Sequence, residues 1–198
     1  ERLLEEEFRF VENGLLTGQG IVPPRDELVP LFELLFVSKT QAFREVLVGC
    51  VLARLQDRNV DATLPYVGHG ENAYNGRTLD ERVVNPFLRR HGIPASTGPF
   101  LSTFRRSVRF DEETAKGVRD KKGYADLLKL IGFLNAVEDE ATLRQFLQYL
   151  LLRFVQLREA GTVRLSRLQR LSLSQYDAFL TGLLATPSGG RVPLMLAV

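Results

Sequence analysis

Between Asp139 and Gly161 the sequence DEATLRQFLQYLLLRFVQLREAG returns an apolar residue every three or four positions, at Leu143, Phe146, Leu147, Leu150, Leu151, Phe154 and Leu157. Such spacing lines one side of an α-helix but scatters over both faces of a strand, so it commits the stretch to a helix with one buried side. Gly161 is its expected stop. The same step recurs in KTQAFREVLVGCVLARLQDR at Phe43, Val46, Leu47, Cys50, Val51 and Leu55, and in residues 1–13 at Leu3, Leu4, Phe8 and Val11. PRDELVPLFELLFV predicts a helix from about Arg25, with Pro30 in its first turns or splitting it.

Other helices are signalled by their ends. Thr78 followed by Glu81 has the spacing of a capping box, in which hydroxyl and carboxylate each satisfy an orphan backbone donor. It predicts a helix over RTLDERVVNPFLRRH, kinked at Pro86 and ended by Gly92. Asp111 is placed to cap DEETAKGVRD, a helix resumes near Lys122 through YADLLKLIGFLNAV, and LSQYDAFLTGLLAT gives one more before PSGG. Residues 59–76 are loop by composition, and FLSTFRRSVRF fits either a helix or a strand. The expected fold class is mainly α, with at most a short β-hairpin between 60 and 110. The expected organisation is one helical domain over 1–187, with 188–198 opening a following element of a longer chain.

Hydrophobic residues at 44% and charged residues at 25% describe an ordinary globular protein, and no apolar run is long enough to span a membrane. Cys50 is the one cysteine, so it forms no internal disulfide; its apolar surroundings predict a buried thiol in a reduced, cytoplasmic setting. With two histidines and that cysteine the usual zinc ligand set is missing. G-x-S-x-G, Walker A and dinucleotide fingerprints are absent, so no hydrolase, NTPase or dehydrogenase reading has a motif to start from.

Charge is unevenly spread. Residues 1–75 carry 7 basic and 12 acidic side chains, residues 76–122 carry 11 and 6, and residues 123–198 carry 8 and 6. An excess confined to the middle of the chain governs encounter with a polyanion more than the total of +2 does. Arg89, Arg90, Arg105, Arg106, Arg109, Lys116, Arg119, Lys121 and Lys122 are therefore candidates for phosphate or guanine contacts, which a guanidinium meets with two parallel hydrogen bonds. Ser102 supplies a hydroxyl of the kind that fixes a DNA backbone. In YVGHGENAYNGR, Asn72, Asn75 and Arg77 form a candidate second reading loop, since an asparagine amide matches the N6/N7 edge of adenine. The plain alternatives are a solvated face neutralised by Asp111, Glu112 and Glu113, and a turn-rich connector bonded to itself.

RDKKGY also contains Asp120-Lys121-Lys122, half of a metal-dependent nuclease signature; with Asp111 and Lys122 it gives a rival reading as a Mg²⁺-dependent nuclease. A second rival is an interaction or oligomerisation module, a homodimer included, pairing the acidic first third with the basic middle of another copy.

YNGRTLDERVVNPFL, GPFLSTFRRSV, RDKKGY and TPSGGRVPLMLAV together resemble the N-terminal part of bacterial restriction-endonuclease-like proteins over residues 74–198. In those, a helical segment precedes a metal-dependent nuclease core. The resemblance implies a DNA-recognition domain of a type II restriction or defence nuclease that acts on double-stranded DNA. Catalytic residues and metal ligands are then expected in none of these positions, and any Mg²⁺ in the parent nuclease.

Overall fold

A computed structural model of the chain describes residues 1–102 and 109–168, with side chains as far as residue 161 and excepting 101 and 102. It forms two compact units, Glu1–Arg158 and Glu159–Val198. The expected boundary at 187/188 and the expected helix in LSQYDAFLTGLLAT lie outside the described residues.

The first unit is built round α3 (Ala42–Gln56), in which every residue from Ala42 to Arg54 is buried. A helix covered on all sides must be apolar all round, and the run VLVGCVLA meets that condition. Its buried arginines are satisfied by helix ends. Arg44 donates to the carbonyls of Leu35, Phe36 and Ser38, which close α2 (Val29–Val37). Arg54 donates to the carbonyls of Leu134 (3.2 Å), Val137 (2.6 Å), Val60 (3.0 Å) and Arg58, tying the end of α8 (Lys121–Ala136) to the turn after α3. Positive charge at the C-terminus of a helix is also favoured by its dipole. Because Phe43 meets Tyr124 at one end and Arg54 meets Leu134 at the other, α3 and α8 run parallel.

α1 (Arg2–Thr17) and α9 (Glu140–Leu168) complete the bundle. Leu4, Phe8 and Val11 are fully buried, with Phe8 edge-on to Phe87 at 5.3 Å. Phe32 of α2 packs against Phe146 of α9 at 4.9 Å. Of the seven apolar positions that predict α9, six are buried and Leu157 is partly so. Gly161 does not stop this helix, which continues to Leu168. A single glycine costs a helix only about 1 kcal/mol against alanine, and the good formers Arg158, Glu159 and Ala160 precede it.

The predicted mainly α class holds, and no strand occurs among the described residues. The helix expected over 78–91 is in three parts: α4 (Gly76–Leu79), a π turn (Asp80–Val84) and α5 (Asn85–Arg90). Pro86 lacks the amide that the preceding turn would need, and the wider turn sits directly ahead of it. Gly92, at φ 66°, ends the element as expected. The capping box does not form. Asn75 caps α4 by accepting from the Thr78 amide at 3.0 Å, and Glu81 is held by Arg77 at 2.7 Å. Two short helices follow, α6 (Pro99–Ser102) and α7 (Glu112–Gly117), the latter capped by Asp111 as predicted.

Candidate nucleic-acid interface

The loop YVGHGENAYNGR stands on a fixed base. The Asp61 amide donates to the Asn72 carbonyl at 2.8 Å, and the amides of Tyr74 and Gly76 donate to Leu64 and Pro65, both at 3.0 Å. Tyr74 is buried beneath, its hydroxyl 3.2 Å from Cys50 Sγ. Burial first, against the Tyr74 contact, pushes the Cys50 thiol up to about 12, so Cys50 is the inert core thiol that its sequence setting predicts. Phe100 wedges between Gly49 and Gly76; a Cβ on Gly76 would lie 2.5 Å from its ring, so only glycine fits at the start of α4.

From this base residues 66–71 project, with Tyr66 54% and Val67 56% exposed. Beside Val67 opens a cleft of about 420 Å³ between the end of α3, the loop and the α4–π segment. Its lining includes Val60, Val67, Tyr74, Leu79 and Val83, with the polar side chains of Gln56, Asp57, Asn75, Thr78 and Arg82. Asn75 Oδ1 is occupied by the cap, which leaves its amide nitrogen as a donor. Asn72 is exposed.

The second cluster gathers at the N-terminus of α8. Asp120 caps it, Oδ1 accepting from the Gly123 amide at 2.9 Å and Oδ2 from the Ser38 hydroxyl at 2.6 Å. Those two donors hold Asp120 below its ordinary carboxylate range, helped by Lys39 and Lys122. Arg119, Lys121 and Lys122 are exposed and make no ion pair among the described residues. The D-x-K half-motif is thus a helix cap followed by two free lysines. Asp111 caps α7 in the same manner, and no group of three His, Cys, Asp or Glu placed to hold a metal occurs among the described residues.

The remaining candidates sort by partner. Arg90 is held by Glu1 (2.8 Å) and Glu5 (2.6 Å), Arg77 by Glu81, and Lys116 by Glu113 at 2.5 Å. Arg109 lies 3.9 Å from Asp111, while Arg89 and Arg82 are exposed and make no ion pair among the described residues. Arg105, Arg106 and the side chain of Ser102 lie outside the described residues. Arg82 belongs to the same basic stretch, and nothing in the sequence separates it from Arg77 next to Glu81. Its freedom is a property of the fold.

The two clusters are not adjacent. The cleft adjoins Ala53 and Gln56 at the C-terminal end of α3, whereas the lysines stand where α3 and α8 begin. A helix of 15 residues separates those ends by roughly 22 Å. Part of the acidic first third is paired within the chain: Glu1 and Glu5 with Arg90, Glu7 with Arg144 and Glu12 with Arg158.

Among known proteins, residues 18–158 match the family described as the SacI restriction endonuclease N-terminal domain, and the match ends at the residue that closes the first compact unit. Neither curated proteins nor solved structures gave a match.

Proposed function

Because this chain belongs to the SacI restriction endonuclease N-terminal domain family, we propose that it recognises a sequence or a modification in duplex DNA on behalf of a restriction endonuclease. Cleavage and any Mg²⁺ it requires belong to residues outside this domain. One observation carries the reading. The first turn of α8 contains no acidic residue and places Lys121 and Lys122 where the helix dipole is already positive. Lys39 and Arg119 add to the same field. Lys122 helps hold the capping Asp120 ionised, but Lys121 and Arg119 have no carboxylate partner among the described residues, and a phosphate there would meet the dipole and the ammonium groups together.

The test is a fluorescence-anisotropy titration against a randomised duplex pool between about 50 and 200 mM salt, where phosphate contacts show themselves. Binding with about five phosphate contacts gives a log–log salt slope near −4.5. Replacing Lys121 and Lys122 by alanine should reduce that slope by about 2. Binding unaffected by the double substitution would dismiss this face as the contact.

A further inference from the structure

The cleft beside Val67 is not needed for contacts to phosphates. We propose that it receives one nucleobase turned out of the bound duplex, with Tyr66 and Val67 entering the stack that the base leaves. This rests on the duplex-recognition reading and adds to it what the loop and the cleft do.

Its volume of about 420 Å³ falls within the range of small-ligand sites. The apolar walls suit the two faces of a flat heterocycle, and the free amide group of Asn75, with Gln56 and Thr78, offers hydrogen bonds to its edge. Arg82, exposed and without an ion-pair partner among the described residues, lines the cleft, where it would meet the backbone of an extruded nucleotide. Tyr66 and Val67 supply the counterpart. Exposed apolar residues occur elsewhere, the adjacent Leu15 and Leu16 among them, but Tyr66 and Val67 stand beside the cleft on a tip whose base is fixed by three backbone hydrogen bonds. An apolar wedge held rigid in the free protein loses little freedom when it enters a base step.

The experiment uses the chain with a duplex selected from the random pool. A single abasic site, or a single 2-aminopurine, is moved through it one position at a time. At one position the abasic site should tighten binding about tenfold or more, because the cost of unstacking is already met there. 2-Aminopurine at that position should brighten severalfold on binding. Tyr66→Ala, at an exposed position that leaves the fold intact, should remove most of the brightening. Binding to the intact duplex with no position-dependent effect of either probe would overturn the inference and leave the duplex reading standing. Failure to bind any duplex would overturn both.

Discussion

Asp80 is 2% exposed, on the π turn, with Oδ1 buried and without a hydrogen-bond partner. Glu45 of α3 is 1% exposed; its Oε1 accepts from the Ser96 amide at 2.7 Å and its Oε2 is equally unpartnered. Burial above all, then the charges of Glu45 and Glu81, push Asp80 up to about 7. The folded protein therefore binds a proton at Asp80 over a range in which the unfolded chain, with an ordinary carboxyl near 4, has released it. Stability from this group is greatest below about pH 4, falls as pH rises to about 7, and is level above. The capping carboxylates Asp111 and Asp120, held low, act in the opposite sense and only in the acid range below about 4. Asp80→Asn should stabilise the domain by about 1–3 kcal/mol at pH 8 and little at pH 5. Urea denaturation at the two values checks this, and a pH dependence unchanged in the variant would show that another group sets it. None of this is legible in LDERVV, because the burial of Asp80 comes from α3, more than twenty residues away in sequence.

At the scale of elements, capping decides which readings of the sequence survive. Asp111 could be read as a cap because aspartate favours that position and Glu112 and Glu113 fill the turn that follows. Asp120 has the same geometry, but Lys121 and Lys122 made its neighbourhood look like half of a nuclease motif. The contact that identifies it, the hydroxyl of Ser38, is 82 residues away. Thr78 and Glu81 failed for the reverse reason: the spacing was right, but Asn75 starts the helix one turn earlier and Arg77 takes the carboxylate. Long periodic helices were legible because burial of one face needs no distant information, whereas the π turn before Pro86 and the passage of α9 through Gly161 needed the packing. Asp120→Ala should cost about 1 kcal/mol, as loss of a cap does. Asp120→Ser should recover most of it, since serine also accepts from the third amide of a helix. Thermal unfolding of the two variants checks this. Equal losses would point to the Ser38 bond rather than the cap as the stabilising contact.

At the scale of the whole molecule, the basic middle of the sequence does not make one basic face. Arg90 is drawn into α1 by Glu1 and Glu5 and Lys116 into its own helix by Glu113, while among the described residues Arg119, Lys121 and Lys122 stay unpaired where α8 begins and Arg82 stays unpaired beside the C-terminal end of α3. Sequence shows how much charge a segment carries; only the fold shows how much of it remains uncompensated. The distance between the ends then has a consequence for binding. About 22 Å along a duplex is between six and seven base pairs at 3.4 Å each, so a duplex that touches both the lysines and Arg82 must be at least that long. Affinity should rise with duplex length to about eight base pairs and thereafter only with the number of available positions. Arg82→Ala should weaken binding to long duplexes while leaving duplexes of about five base pairs, held at the α8 end, unchanged. Sites this far apart with no shared partners contribute independently, so on a long duplex the losses from Arg82→Ala and from the Lys121 and Lys122 pair should add. Anisotropy across a length series measures both statements. An Arg82→Ala loss of the same size at every length would mean that the cleft end binds alone, and that the lysines serve another contact.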